Sequence, residues 1–168
     1  RVDDAIGCQK DIAQKIVDAQ GDYVLAVKDN QPKVYGAIKE LFSDERQGEL
    51  LKRPHRKHQT REKGHGRRDE RYYVLAKIPR QFPLKNAWPG AKAIGAAVRV
   101  TENRDGTLSG DTRYFITSRY LSGQRFAQAV RGHWGIENSL HWVLDVTFDE
   151  DQSTRNRHMA DNLSWLRR

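Results

Sequence analysis

Residues 1–28, RVDDAIGCQKDIAQKIVDAQGDYVLAVK, decide the fold class that the sequence predicts. The first eight residues end in a glycine turn and are typical of the end of a strand. Apolar residues then recur at helical spacing up to Gly21, and residues 22–28 form the compact apolar run of a buried strand. Because a strand, a helix and a strand follow one another here, we expect a crossover unit and an α/β sheet with helices on its faces.

The rest of the chain continues this alternation and then becomes rich in strands. PKVYGAIKELFSD, residues 32–44, predicts a second helix with proline in the first turn, where it is tolerated. Three later segments predict strands, and the short gap between the last two favours antiparallel pairing. These strands are RYYVLAKI (71–78), AKAIGAAVRVTEN (91–103) and DTRYFITSRY (111–120). From Ser122 onward the pattern is helical, with a break near residues 148–153.

This organisation predicts three parts. Residues 1–50 form part of an α/β core, residues 51–120 form a basic, strand-rich insertion, and residues 121–168 form helices that return to the core. The length of 168 residues is sufficient for one domain with a buried core. Because the chain begins with Arg1 rather than methionine and ends within an apparent helix, we expect it to be truncated at both ends.

The composition favours a polyanionic partner. The net charge is +8, although basic proteins without such a partner are common. The single cysteine, Cys8, excludes an internal disulfide and indicates a reducing compartment. There is no apolar run long enough for a membrane span and no signal peptide, so we expect a cytoplasmic protein.

A row of polar residues in RGHWGIENSLHWVLDVTFDED, residues 131–151, is a candidate site. His133, Glu137, His141 and Asp145 are spaced by four, so one helix would carry them on a slowly drifting stripe beside an apolar face. The two histidines and Glu137 have the spacing of a single-metal site. The same spacing suits hydrogen-bonded polar side chains at an interface, and spacing alone favours that interpretation.

Two other clusters have both a functional and an ordinary interpretation. Asp3 and Asp4 follow the first predicted strand, where carboxylates often face a ligand, but aspartates there also form turns and helix caps. The basic stretch between Lys52 and Arg71 has nine Lys or Arg and three acidic residues. The core of this region, EKGHGRRDERYYV (62–74), has glycines that allow close approach to a phosphate and tyrosines that could support bases, whereas a plain solvated surface is equally consistent with the charge.

Four blocks of sequence, in this order, resemble the DDE transposases of bacterial insertion sequences. The group with the greatest similarity includes the H-repeat-associated proteins. The blocks are DDAIGCQKDIAQKIVDAQGDYVLAVKDNQP, EKGHGRRDERYYV, RYFITSR and HWGIENSLHWVLDVTFDED. The resemblance implies a partial RNase H-like fold in which two aspartates and a glutamate bind two divalent ions, Mg²⁺ or Mn²⁺. It also implies transposon-end and target DNA as partners, a possible homo-oligomer on DNA, no membrane, and association with the nucleoid.

The resemblance assigns two of the three carboxylates. The family's second aspartate falls on Asp4 and its glutamate on Glu137, whereas its first aspartate lies on a strand before Arg1. We therefore expect the chain alone to be catalytically incomplete. Related transposases have a Tyr-x2-Arg-x3-Glu-x6-Lys pattern, which is kept here only at Glu137; Val130, His133 and Leu144 occupy the other positions.

Two ions about 4 Å apart can stabilise the attacking and leaving oxygens of a displacement at phosphorus. We therefore expect the carboxylates of Asp4 and Glu137 to lie roughly 4–8 Å apart, within reach of one metal site. The residues expected to contact DNA are Arg67, Arg68, Arg71, Arg131 and His133.

Two alternatives remain. In one, the chain is a DNA-binding remnant or regulator whose carboxylates are vestigial. In the other, it is a metal-dependent nuclease of a different fold that uses His133, Glu137 and His141.

Overall fold

The fold is given by a computed structural model that describes residues 2–3, 8–43, 50, 52, 54–64, 67–80, 82 and 88–140, with the backbone alone for residues 2–3 and 133–140. Asp4, His141, Asp145 and the predicted break near residues 148–153 lie outside this range. The described residues form three helices and six strands. In chain order these are β1 (Val2–Asp3), α1 (Lys10–Asp18), β2 (Val24–Val27), α2 (Pro32–Leu41), β3 (His55–Gly64), β4 (Arg67–Lys77), β5 (Ala93–Glu102), β6 (Leu108–Thr117) and α3 (Gly123–Leu140).

The predicted crossover unit is confirmed. β1 and β2 are parallel neighbours, with Val2 opposite Val24, and α1 connects them. α1 ends as the sequence predicts, but Gln20 and not Gly21 adopts the left-handed conformation, at φ 57°. The amides of Gln20 and Gly21 then donate to the carbonyl oxygens of Val17 and Ile16, which satisfies the last turn of the helix.

All six strands belong to one mixed sheet in the order β1-β2-β6-β5-β4-β3. β2 pairs antiparallel with β6, and the strands from β3 to β6 pair antiparallel in sequence order, as predicted for the later strands. The sheet is therefore continuous from the crossover unit into the strand-rich middle of the chain.

The sheet buries apolar side chains on both faces, because successive strand residues point to opposite sides. Leu25, Val74, Ala76, Ile94 and Ile116 lie on one face in a cluster with Ala13 of α1 and Val34 and Ile38 of α2. Val24, Tyr73, Leu75, Ala97 and Phe115 lie on the other face in a cluster with Phe126, Ala127 and Val130 of α3. Helices thus cover both faces, as an α/β fold requires.

One strand was not predicted, and β4 begins earlier than expected. β3 was interpreted only as a basic stretch, because its residues HRKHQTREKG lack the apolar alternation of a half-buried strand. In the structure β3 is the edge of the sheet, where lysine and arginine are common because they discourage further pairing. The expectation of three strands in the middle of the chain was therefore wrong by one.

The start of α3 is fixed by a close approach to β3. Ser122 caps the helix, since its hydroxyl accepts a hydrogen bond from the Arg125 amide. A Cβ atom on Gly123 would lie 2.6 Å from the carbonyl carbon of Lys57, which is closer than backbone atoms allow. Only glycine therefore fits this position without moving the helix.

We predict opposite effects for two glycine substitutions on the same helix. Gly123→Ala should destabilise the protein by about 1–3 kcal/mol, because the added methyl group forces α3 away from β3. At Gly132 nothing lies within 4 Å of an added Cβ, so Gly132→Ala should stabilise it by about 0.5–1 kcal/mol through helix propensity. Urea denaturation of both variants measures this difference, and equal effects would contradict the close approach.

Candidate functional site

The structure brings the helix that carries Glu137 to the strand that precedes Asp4. α3 begins against Lys57 of β3 and also contacts β1. Because β3 and β1 are the two edges of the sheet, α3 runs across its face from one edge towards the other. Asp4 follows the last residue of β1 directly, and Glu137 lies in the last two turns of α3. Asp4 and the side chain of Glu137 lie outside the described part of the chain, so the distance between their carboxylates stays a prediction.

The histidine stripe is described only in part. His133 and Glu137 both belong to α3, so their predicted placement on one helix is confirmed for the backbone. His141 lies outside the described range. Within that range, no group of three His, Cys, Asp or Glu residues is close enough together to hold a metal ion.

The predicted basic stretch forms a hairpin of β3 and β4. Pairing extends to Gly64 and Arg67, so only two residues of the sequence, His65 and Gly66, connect the strands. Arg67 and Arg68 are exposed at the start of β4. Further exposed cations lie along β3, among them Lys57, Arg61 and Lys63. The hairpin therefore presents a row of exposed positive charge.

Two carboxylates offset part of this charge. Glu70 lies 3.2 Å from the Arg61 guanidinium, and Glu102 lies 3.9 Å from Arg68. Both cations are well exposed, with 70% and 64% of their side-chain surface accessible, so these pairs are weak and easily exchanged.

Arg71 differs from the other predicted DNA contacts because it is buried. Only 9% of the residue is exposed. Its Nη1 donates to Glu62 Oε2 at 2.8 Å, and its Nη2 lies 3.6 Å from Asp69 Oδ2. A phosphate could reach this guanidinium only by displacing these carboxylates.

Asp69 is the centre of a second set of contacts. Thr101 Oγ1 donates to it at 2.5 Å, and the Arg99 guanidinium donates to both of its carboxylate oxygens. Partial burial would raise the pKa of Asp69, but the Thr101 hydrogen bond and the charges of Arg99 and Arg71 outweigh it, so the pKa lies below its usual value. Asp69 therefore stays ionised below the pH at which an unperturbed aspartate protonates.

Glu62 links this set to α3. Its Oε1 accepts a hydrogen bond from Arg131 Nη1 at 2.5 Å, while its Oε2 binds Arg71. Partial burial alone would raise the pKa of Glu62. The hydrogen bonds and charges of Arg131 and Arg71 together lower it by more, so the pKa of Glu62 lies below its usual value. We call the connected residues the Arg71 cluster; they are Glu62, Asp69, Arg71, Arg99, Thr101 and Arg131.

Sequence reasoning missed the acidic members of this cluster. They were counted only as charges within a basic stretch. The missing signal is the register of the hairpin, in which Gly64 lies opposite Arg67, because this register places Glu62 opposite Asp69. Two like charges opposite each other need a cation between them, and Arg71, two residues after Asp69, is on the same face.

Cys8 is not a candidate for thiol chemistry. It is fully buried, and burial raises the pKa of its thiol to about 12. A thiol with so high a pKa is a poor nucleophile and a poor metal ligand near neutral pH.

Comparison with known proteins agrees with the resemblance in the sequence. The family model described as "Transposase DDE domain" matches residues 1–167. "Putative transposase YncI" of Escherichia coli O157:H7 is 37% identical over 98% of this chain. "H repeat-associated putative transposase YhhI" of Escherichia coli K12 is 37% identical over 95% of it. The chain spans 43% of the length of each of these relatives. No solved structure shows a significant match.

No helix in the described part of the chain has the length and apolar character needed to cross a membrane.

The lowered pKa values predict a stability that falls in acid. A carboxylate with a depressed folded-state pKa stabilises the protein above its unfolded pKa of about 4, and this contribution is lost as the pH falls through the lower folded value. Asp69→Asn should cost about 1–3 kcal/mol at neutral pH, because buried donors lose a charged acceptor, and should flatten the acid side of the stability curve.

The measurement is the thermal midpoint between pH 7 and pH 2. Asp111→Asn is the matched control, since Asp111 pairs with Arg113 on the surface and 60% of its side chain is exposed. A control curve that flattens as much as that of Asp69→Asn would contradict the assignment.

Proposed function

The chain belongs to the DDE transposase family, and on that premise we propose that it contributes Asp4 and Glu137 to a divalent-metal site for DNA cleavage and strand transfer. It does so on a partial RNase H-like core made of β1, α1, β2 and α3. The parallel pair β1–β2 with its crossover helix supports this core, because it is the α/β element that the family fold requires.

The single observation that carries the proposal is the contact between α3 and β1. Asp4 follows β1 directly, so this contact brings the helix of Glu137 to the strand of Asp4. Position 137 is also seven residues after Val130, which is buried against the sheet. Seven residues are about two turns, so an ideal helix returns position 137 to the same face of α3 as Val130.

The donor set fits a hard divalent cation. Mg²⁺ and Mn²⁺ prefer carboxylate oxygens and keep several waters, so few side chains are needed from the protein. When bound, such ions stabilise the charge that develops on oxygen in a displacement at phosphorus. The role of the protein is then to hold two carboxylates from sequence-distant elements close together, and the contact between α3 and β1 supports this role.

We propose that DNA binds along the β3–β4 hairpin. Arg67 and Arg68 are exposed at the hairpin end and are the first choice for phosphate contacts. Arg71 and Arg131 already bind Glu62, so a phosphate would have to replace that carboxylate. His133 follows Arg131 on α3 and would contact a phosphate as a titratable group.

The exposed hairpin also supports the alternative of DNA binding without catalysis. Its charge needs no metal site to attract a phosphate backbone. The two functions differ in one measurable property, which is cleavage that depends on both metal and Glu137.

For DNA binding, we predict that Arg67→Ala with Arg68→Ala weakens affinity for all sequences alike. The slope of log K against log salt should decrease by about one for each phosphate that the protein no longer neutralises. Fluorescence anisotropy with a labelled duplex at several salt concentrations measures both quantities.

The control is Lys10→Ala with Lys39→Ala, which removes the same charge from exposed positions on α1 and α2. An equal loss of affinity in the control would mean that only the net charge matters.

For catalysis, we predict that the 168-residue chain does not nick DNA with Mg²⁺ or Mn²⁺, because two carboxylates leave the ion pair one ligand short. A longer version that supplies the family's first aspartate should nick a supercoiled plasmid. In that version Glu137→Gln and Asp4→Asn should each lower the rate by at least about 100-fold, since each removes an anionic metal ligand.

The exposed Glu40 of α2 provides the matched control, as Glu40→Gln removes the same charge from a helix that packs on the opposite face of the sheet from α3. If the longer version cleaves as fast with Glu137→Gln as without it, the proposed site is wrong. If it binds DNA but never cleaves, the DNA-binding alternative holds.

A further inference from the structure

The contacts that hold α3 on the sheet change in character along the helix. Its first two turns pack through Phe126, Ala127 and Val130, which are all almost fully buried. The residue after Val130 is Arg131, and its contact with the sheet is an ion pair with Glu62 of β3. Among the described side chains of α3, Arg131 is therefore the last that contacts the sheet, and its contact is polar.

Glu62 is held firmly on its own side of this ion pair. It also accepts a hydrogen bond from Arg71, which is buried and which lies beside Asp69. Asp69 is in turn fixed by Arg99 and Thr101. A series of charged contacts therefore connects β5, β4 and β3, and Glu62 is its last member. The second carboxylate oxygen of Glu62, Oε1, binds Arg131 of α3.

The same region contains further buried polar groups. The hydroxyl groups of Thr60 and Tyr73 are both buried here. Thr60 lies opposite Arg71, and Tyr73 is two residues further along the same face. Polar groups thus surround the ion pair of Arg131 with Glu62, and this ion pair restricts the position of α3 at Arg131.

We propose that Glu62 is a positioning residue that fixes the later turns of α3, and with them Glu137, through Arg131. This inference rests on the proposed function for the role of Glu137, but the anchoring of α3 can be tested without it. It also connects two sites, because Glu62 belongs to the proposed DNA-binding hairpin and Arg131 to the helix of the proposed metal site.

The first experiment is amide hydrogen exchange of the 168-residue chain. Glu62→Gln and Arg131→Ala should each raise exchange in residues 132–140 by about tenfold, because local opening no longer breaks an ion pair. Exchange in β2 and β5 should not change. Arg131 is 42% exposed, so Arg131→Ala is expected to fold even if Glu62→Gln disturbs Arg71.

Two control variants match the charge changes. Glu70→Gln alters the same hairpin on the face away from α3, where Glu70 pairs with Arg61. Arg125→Ala removes an exposed cation from the first turn of α3. Unchanged exchange in residues 132–140 for Glu62→Gln or Arg131→Ala would overturn the proposal, as would an equal rise in the controls or a uniform rise across the sheet.

The second experiment separates positioning from general stability in the longer, cleaving version of the protein. Under single-turnover conditions at saturating DNA, Glu62→Gln should lower the cleavage rate by about tenfold, and because all of the protein is then bound, a change in DNA affinity does not affect this rate. Faster exchange with an unchanged cleavage rate would overturn the positioning role. If Glu137→Gln has no effect on cleavage, the proposed function fails, whereas the exchange result still decides whether Glu62 anchors α3.

Discussion

Residues Val24–Val27 of β2 form an antiparallel ladder with Tyr114–Thr117 of β6, and this ladder joins two parts of the chain that are distant in sequence. On one side of it lies the crossover unit, and on the other lie the antiparallel strands β3 to β6. The pairing makes one sheet with two buried faces, and α3 crosses one of them between the two edges. Without this ladder, α3 would start against β3 but could not reach β1. The helix that carries Glu137 would then no longer contact the strand that precedes Asp4.

The two ways in which α3 is attached have different physical consequences. Burial of Phe126 against Gly95 and Leu75 is non-directional and contributes roughly 1.5–3 kcal/mol whatever the angle of the helix beyond it. The ion pair of Arg131 with Glu62 is directional, so it contributes little to total stability but restricts the angle. A protein that must place a carboxylate accurately gains from this second kind of contact, because apolar packing alone tolerates small rotations.

The helices and the buried strands could be predicted from sequence because their apolar periodicity is strong, as in α1 and β5. β3 could not, since an edge strand of charged residues has no such periodicity. The cluster around Arg71 depends on pairing register, which becomes visible only when β3 and β4 are recognised as a hairpin. Asp4 and Glu137 came from family resemblance, and their mutual distance depends on how α3 crosses the sheet, which no local pattern encodes. The division into three parts and the homo-oligomer on DNA remain predictions.

The arginines of this chain show why residue type alone does not define a nucleic-acid interface. Arg68 and Arg71 are three positions apart in one strand, and both looked equivalent as charges in a basic stretch. Arg68 lies near the hairpin end of the strand and is largely exposed, whereas Arg71 lies further along the strand and is buried between carboxylates. An exposed cation exchanges its partner for a phosphate at small cost, because water already screens the pair. A buried one cannot, since the carboxylates it leaves would lose their compensating charge. Position along the strand therefore divides one run of positive charge into exposed groups at the hairpin end, which are available to a phosphate, and buried groups that hold the protein together.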